Sequence, residues 1–189
     1  MSEQPFSMPL PRLDCGVAVL RAWRPDDLDS LVANASHADV SRGLRDRFPY
    51  PYTGDDGRAW LARAVDESDR AWAIEIDGLA VGGVSLHPGS DVHRHSAELG
   101  YWIGRHFWGR GIMSATIARF APEAMRAFRL HRLFATVYAN NQASMRVLEK
   151  AGFAREGVQQ SAVVKRGELL DLVVYARVRE SLGRRGRRA

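Results

Sequence analysis

Cysteine, long apolar runs and lysine are all scarce in this chain of 189 residues. The one cysteine, Cys15, excludes an intrachain disulfide and a metal cluster built from cysteines. No stretch approaches the roughly 18 uninterrupted apolar residues that a membrane-spanning helix needs, and residues 1–13 lack the apolar run of a signal peptide. These absences predict a cytoplasmic protein without a membrane partner.

The positive charge is almost entirely arginine, because Lys150 and Lys165 are the only lysines. Lysine and arginine together number 27 against 22 aspartates and glutamates, a formal net charge of +5. Four arginines lie in residues 184–189, and without them the net charge of residues 1–183 is +1. A nearly neutral body with arginines and acids interleaved argues against a nucleic-acid partner. We expect a single domain over residues 1–183 and a disordered, arginine-rich tail over residues 184–189.

The order of strand-like and helix-like patterns is β-α-α-β-β-β-α-β-α-β-β, which predicts a mixed α/β domain. Asp77-Gly78 between two apolar runs is a strong hairpin signal. Thr53, three residues before Asp56, is a capping signal for the helix that follows. Pro122 lies inside a helical pattern, where it is expected to kink or split the helix.

The segment from Trp108 to Ser114, Trp-Gly-Arg-Gly-Ile-Met-Ser, lies between a predicted strand and a predicted helix. Its glycines leave backbone N–H groups uncovered, and the helix N-terminus adds its positive dipole end, so the turn suits a phosphate or pyrophosphate. Neither a P-loop nor a dinucleotide fingerprint is complete here. An ordinary tight turn explains the same residues, and the segment alone does not decide between the two.

Three blocks with matching order and spacing resemble the GNAT N-acyltransferase superfamily, most closely its RimJ/RimL-like branch. They are Ala-Glu-Leu-Gly-Tyr-Trp-Ile-Gly at 97–104, Phe-Trp-Gly-Arg-Gly-Ile-Met at 107–113, and Asn-x-x-Ser-x-x-Val-Leu-Glu-Lys-x-Gly-Phe at 141–153. The resemblance extends over nearly the whole chain. It implies a mainly antiparallel sheet with a central splayed strand pair, flanked by helices, and acetyl-CoA as the cosubstrate without a metal.

The resemblance further implies that acetyl-CoA lies between the splayed strands, with its pyrophosphate at the glycine turn. His106 stands where the family motif has Gln or Arg, so backbone amides are expected to hold the pyrophosphate. Arg146 and Lys150 are four residues apart on one helix, which suits either the 3′-phosphate or a solvated helix face. The predicted cosubstrate contacts are Leu99, Tyr101, Ile103, Trp108, Gly109, Arg110, Gly111, Ile112, Met113, Asn141, Arg146 and Lys150.

Amide formation needs a neutral amine and a stabilised thiolate leaving group. The resemblance places these roles on Glu98, as a general base that acts directly or through water, and on Ser144, as general acid. The implied reaction is direct transfer to an amine, either a protein N-terminal α-amine or a small-molecule amine. Ser144 could equally cap its helix. Cys15 is disfavoured as a covalent carrier.

Aromatic residues fall where the resemblance places the acceptor-binding region, and Asp171 stands where related sequences carry an acid on the last hairpin. The predicted acceptor contacts are Phe48, Tyr50, Trp60 and Asp171, and the aromatic residues could equally pack beneath the acceptor groove. His87, His93 and His95 lie in or beside one loop, for which a solvated loop is favoured over a metal site.

Two other functions stay open at this point. The chain could be a GNAT-fold module that binds acyl-CoA without transferring the acyl group, or a transferase of a longer acyl group such as succinyl. The resemblance also implies a homodimer.

Overall fold

The computed structural model describes residues 12–66 and 70–179, and the predicted tail at 184–189 lies outside them. The strands are β1 (Leu13–Asp14), β2 (Val19–Ala22), β3 (Ala71–Ile76), β4 (Leu79–Pro88), β5 (Ser96–Ile103), β6 (Arg132–Tyr138), β7 (Ala154–Lys165) and β8 (Glu168–Val178). The helices are α1 (Leu28–Ala35), α2 (Ala38–Arg42), α3 (Gly54–Asp66), α4 (Ile112–Ala127) and α5 (Gln142–Lys150). The short elements β1 and α2 were not predicted from the sequence, because neither is long enough to show a hydrophobic period.

The strands of the described residues form one mixed sheet in the order β1-β2-β3-β4-β5-β6-β8-β7. Neighbouring strands are antiparallel except for β5 and β6. That parallel pairing runs from Ser96↔Arg132 to Glu98↔Phe134 and then stops, although both strands continue. Beyond it, β5 stays paired with β4 and β6 with β8. The predicted splayed pair is therefore confirmed, and it opens a gap in the middle of the sheet.

Helices cover both faces of the sheet because side chains alternate along each strand. On one face α4 packs Phe120 against Trp72, with ring centroids 5.0 Å apart. On the other face α1 and α3 bury Leu31 and Leu61 over Ala73. The expected mixed α/β architecture with flanking helices is confirmed. None of the described helices is long and apolar enough to cross a membrane.

The local turn and capping signals behave as predicted. Asp77 and Gly78 adopt φ values of 51° and 82° and close the hairpin between β3 and β4. Asp56 Oδ2 accepts from the Thr53 N–H at 2.8 Å, and the Asp56 N–H donates to Thr53 Oγ1 at 3.3 Å. These reciprocal bonds fix the start of α3.

Of the two outcomes expected at Pro122, a split is wrong, because α4 runs unbroken from Ile112 to Ala127, and a kink stays a prediction. Proline removes one backbone donor and so weakens the helix locally. However, Phe120, Ala121 and Ala124 are fully buried on either side of it. The packing of this face against the sheet outweighs the missing hydrogen bond.

A buried ion cluster joins β2, β3 and the turn that precedes α1. Arg21 is 4% exposed and donates to both carboxylate oxygens of Asp27 at 2.7 Å. It also pairs with Glu75, and this guanidinium lowers the pKa of the Glu75 carboxyl below its ordinary value. A carboxyl whose pKa is lower in the folded state stabilises the fold above its unfolded pKa, and that contribution is lost as the pH falls through the folded pKa.

We expect Glu75→Gln to lower the free energy of unfolding by about 1.5–3 kcal/mol at pH 7, the contribution of a hydrogen bond to a charged group. The difference from the unsubstituted protein should shrink as the pH falls through the lowered folded pKa of Glu75, because Glu75 is then protonated in both states. Denaturant unfolding across this range measures it, with the exposed Glu168→Gln as control. A difference that persists undiminished at the acid end would contradict the ion-pair explanation.

Candidate active site

A cavity of about 810 Å³ lies where β5 and β6 part. Its wall includes both predicted catalytic residues, Glu98 and Ser144, together with Leu99, Tyr101 and Asn141 from the predicted cosubstrate contacts. The fold therefore brings the first and third of the sequence blocks together at the gap in the sheet.

Glu98 and Ser144 reach this gap from different faces of the sheet. Glu98 shares its side of β5 with Trp102, which packs on the layer formed by α1 and α3. Tyr101 belongs to the opposite face, where the core under α4 lies. Its hydroxyl is 2.7 Å from Ser144 Oγ. A group held in the gap is therefore accessible to Glu98 on one side and to Ser144 on the other.

Two donors hold Glu98 by the same carboxylate oxygen. Thr136 Oγ1 donates to Glu98 Oε1 at 2.8 Å, and Arg45 Nη2 donates to it at 2.5 Å. The Glu98 side chain is 19% exposed and lines the cavity. Both of these contacts fall on Oε1, and neither of them uses Oε2.

Residues 43–49, which we call the 43–49 strap, border the cavity and are anchored to three strands. Arg45 is bound to β5 through its ion pair with Glu98. The Tyr138 hydroxyl of β6 donates to a strap carbonyl at 3.2 Å. Lys165 of β7, itself buried, donates to Asp46 at 2.6 Å. Sequence reasoning missed the strap because these residues form no motif and their partners lie far away in the chain.

Asn141, and not Ser144, caps α5. Asn141 Oδ1 accepts from the Ser144 N–H at 3.1 Å, so the interpretation of Ser144 as the capping residue is wrong. Ser144 is the third residue of the helix, and its Oγ meets the Tyr101 hydroxyl instead. Burial raises the pKa of Tyr101 well above its ordinary value, so the phenol stays protonated at neutral pH. The Asn141 side-chain oxygen is occupied by the cap, which leaves its amide nitrogen for the predicted contact with the cosubstrate.

The turn before α4 depends on two glycines in the left-handed region. Gly109 has φ +74° and Gly111 has φ +76°, conformations that disfavour a side chain. Gly111 is the N-cap, and the helix begins its hydrogen bonding from the Ala115 N–H to the Gly111 carbonyl at 3.0 Å. The three N–H groups between these residues precede that bond and are suited to an anion. Trp108 Nε1 donates to the Ile103 carbonyl at 2.8 Å and ties the turn to the end of β5.

The remaining predicted cosubstrate contacts divide by burial. Ile112 and Met113 are buried in the core, so only their backbone groups can face a ligand. Arg110, Arg146 and Lys150 have exposed side chains that are accessible to an anion. The predicted roles of these three cations stay predictions.

The match to known proteins agrees with this geometry. Residues 18–154 match the acetyltransferase (GNAT) domain family. The chain belongs to the GNAT acetyltransferase family. The expected acetyl-CoA-dependent N-acetyltransferase class, and the likeness to the RimJ/RimL branch, are confirmed at the level of the family.

Relatives of this GNAT chain include two N-acetyltransferases of Bacillus subtilis (strain 168). YdaF is 32% identical over 62% of this chain and 63% of its own length, so the match spans just under two thirds of that relative. YoaA is 28% identical over 89% of this chain and 97% of its own length. Among solved structures, Mycobacterium smegmatis RimJ in complex with CoA-disulfide is 27% identical, with a TM-score of 0.73 over 90% of this chain and 86% of RimJ.

Two of the four predicted acceptor contacts line the cavity of the GNAT domain. Phe48 and Trp60 belong to its wall, and Phe48 also packs on Trp102 with ring centroids 5.3 Å apart. Tyr50 is 52% exposed and lies outside the wall.

Asp171, the fourth predicted acceptor contact, also lies outside the wall. Its Oδ1 accepts from the Ser161 N–H at 2.8 Å, where the pairing of β7 with β8 is irregular. The acid on the last hairpin therefore stabilises a bulge of the sheet in this structure, and no contact directs it toward the cavity.

The three histidines grouped by the sequence lie in two places. His87 lines the active-site cavity, with Nε2 3.2 Å from Ser85 Oγ. His93 and His95 border a second cavity of about 560 Å³. In the described ranges, no group of three or more histidine, cysteine or acidic residues is arranged to hold a metal ion.

We expect Gly109→Ala to destabilise the protein by about 1–2 kcal/mol and to weaken CoA binding, because a Cβ strains the left-handed turn that presents the backbone amides. Gly78→Ala is the matched control: Gly78 has φ +82° in the hairpin between β3 and β4. It should cost similar stability without changing CoA affinity. Calorimetric titration of CoA and denaturant unfolding measure the two effects. Equal CoA affinity in both variants would contradict a role of the turn in binding the pyrophosphate.

Proposed function

We propose that this GNAT protein transfers an acetyl group from acetyl-CoA directly to an amine acceptor, with Glu98 as general base and Ser144 as general acid. The observation that carries the proposal is the position of these two groups on opposite sides of one gap between β5 and β6. Attack on a thioester needs proton removal on the side of the incoming amine and proton donation on the side of the departing thiol. The two side chains are distributed in that way.

On the acceptor side, Glu98 would take a proton from the amine through Oε2, directly or through a water. Thr136 and Arg45 hold the other oxygen, so the carboxylate keeps one orientation. A fixed base needs no reorganisation when the amine arrives, which is the advantage of a positioned general base.

On the thiol side, Ser144 would donate a hydrogen bond or a proton to the departing sulfur. The protonated Tyr101 hydroxyl, 2.7 Å from Ser144 Oγ, would orient it. The pairing of β5 with β6 ends at Glu98, so the backbone N–H groups near Leu99 and Tyr101 have no strand partner among the described residues on the side of the gap. These N–H groups would polarise the acetyl carbonyl. The first-turn amides of α4, with Arg110, Arg146 and Lys150, would hold the phosphates of the cosubstrate.

Cys15 supports direct transfer over a covalent intermediate. Burial raises the pKa of the Cys15 thiol to about 11, which disfavours the thiolate that a nucleophile needs. The thiol also lies outside the wall of the cavity.

The test is release of free thiol from acetyl-CoA in the presence of an amine panel that contains amino acids, peptides with free N-termini, polyamines and an aminoglycoside. We expect turnover with at least one class and intersecting initial-velocity lines, since no acetyl-enzyme is formed. Tight CoA binding without turnover of any amine would contradict the proposal and favour a module that binds acyl-CoA without transferring the acyl group. Turnover with succinyl-CoA in preference to acetyl-CoA would overturn the choice of acyl group. The homodimer and the cytoplasmic location stay predictions.

A further inference from the structure

The cavity places a cation directly beside the proposed base. Arg45 Nη2 lies 2.5 Å from Glu98 Oε1, and the Arg45 side chain is 54% exposed. An amine that donates to Glu98 Oε2 would lie within roughly 8 Å of this guanidinium, since two hydrogen bonds of about 2.9 Å each are joined through the width of one carboxylate. Any acceptor that binds here therefore meets both the Glu98 carboxylate and the Arg45 guanidinium.

We propose that the acceptor is a free α-amino acid, with its amine at Glu98 and its carboxylate at Arg45. This inference rests on the proposed function and names the substrate class of the same site. In an α-amino acid one carbon joins the ammonium and the carboxylate, so the two charges are spaced to match the adjacent charges of the protein. A guanidinium also matches a carboxylate in shape, because its N–H groups form a planar fork. A protein N-terminus offers a neutral peptide group in place of that carboxylate.

The charges of the cavity wall favour the same class. Its basic residues outnumber its acidic residues five to three: Arg45, Arg47, Arg63, Arg70 and Lys165 against Asp46, Asp56 and Glu98. Setting aside the pairs Lys165–Asp46 and Arg45–Glu98 leaves the same excess of two basic residues. A polyamine or an aminoglycoside would bring several positive charges to this wall and be repelled. A zwitterion carries one negative and one positive charge, so it has no net charge and is not repelled in this way.

The 43–49 strap favours a small acceptor. It is bonded to β5, β6 and β7, so a polypeptide that enters beside it must fit under these bonds or break them. A cavity of about 810 Å³ holds a free amino acid without such a change. Phe48 and Trp60 on the wall provide an apolar surface for its side chain.

The first experiment compares matched acceptors in the thiol-release assay: phenylalanine, methionine and threonine, each as the free L-amino acid, as the amino acid amide and as the N-terminal residue of a short peptide. We expect kcat/KM for the free acid to exceed that for the amide about 10- to 100-fold in at least one set, the value of a charge-assisted hydrogen bond. The amide amine is the less basic of the two and is deprotonated more easily. The protonation equilibrium of the amine therefore favours the amide and cannot produce a preference for the acid.

The second experiment repeats the comparison with Arg45→Gln. We expect the ratio of acid to amide to fall to about one, while CoA affinity is unchanged. Arg42→Gln is the control: it removes the same charge three residues earlier, from an exposed side chain paired with Asp39 and outside the cavity wall. It should keep the ratio.

The outcomes separate this inference from the proposed function. Turnover of amides or peptides at least equal to that of the free acids, or an Arg45→Gln variant that keeps the preference, would overturn the amino acid assignment and leave the transferase standing. The absence of thiol release with every amine would overturn both.

Discussion

Replacing Glu98 by glutamine is expected to lower kcat by about 10²- to 10⁴-fold, the range that a positioned general base contributes. Glutamine keeps the shape of the side chain and can still accept from Thr136 Oγ1, which lies 2.8 Å from Glu98 Oε1. It cannot take a proton from the amine. The loss should therefore appear in kcat with little change in the KM for acetyl-CoA, whose predicted contacts lie mainly at the turn before α4 and on α5.

The pH profile distinguishes a lost base from a distorted site. Without Glu98 only amine already deprotonated in solution can react, so the rate of the variant should rise steadily with pH until the acceptor has titrated. Glu123→Gln, on the surface of α4 where Glu123 pairs with Arg119 and Arg126, is the matched control and should stay within about twofold. A Glu98→Gln enzyme that keeps more than half of its kcat would show that the base is elsewhere; His87, in the wall of the same cavity, would be the next candidate.

Local sequence patterns predicted most of the fold because they involve interactions between residues close in the chain. The Asp77-Gly78 hairpin and the Thr53–Asp56 cap are each formed within a few residues, and both are present in the structure. The glycine turn was predictable for the same reason, since left-handed φ values at Gly109 are a property of those residues and not of distant partners. At Pro122 the helix does not split, because the core packing of α4 outweighs the local preference of proline.

The contacts around the proposed base could not be predicted in this way. Arg45 meets Glu98 across a separation of 53 residues, and nothing in the pattern near Arg45 distinguishes it from the other arginines of an arginine-rich chain. The choice of capping residue for α5 could not be predicted for a different reason. Asn141 and Ser144 are both good capping residues, and only the backbone path decides that the first caps and the second faces Tyr101. Asp171 has a contact that its sequence position did not indicate, because its Oδ1 accepts from the Ser161 N–H at a bulge; its role toward an acceptor stays a prediction.

Replacing Ser144 by alanine is expected to lower kcat about 10²-fold, the lower end of the range for a positioned general acid. The thiolate would then leave without a hydrogen bond from the protein, while capping of α5 by Asn141 would persist because the Ser144 backbone N–H is retained. Stability should therefore change little. Measured kcat and KM, with denaturant unfolding as the control on folding, separate catalysis from structure.

Tyr101→Phe and the double variant decide which hydroxyl serves the sulfur. If Tyr101 acts by orienting Ser144, Tyr101→Phe should cost about 5- to 10-fold, the value of one hydrogen bond. The double variant should then be no slower than Ser144→Ala alone, because both changes remove one function. If Tyr101→Phe is the slower single variant, the proton donor is the phenol, and Ser144 is its positioning partner. Wild-type kcat in Ser144→Ala would exclude the serine, and independent, multiplying losses would mean that the two hydroxyls, 2.7 Å apart, act on different atoms.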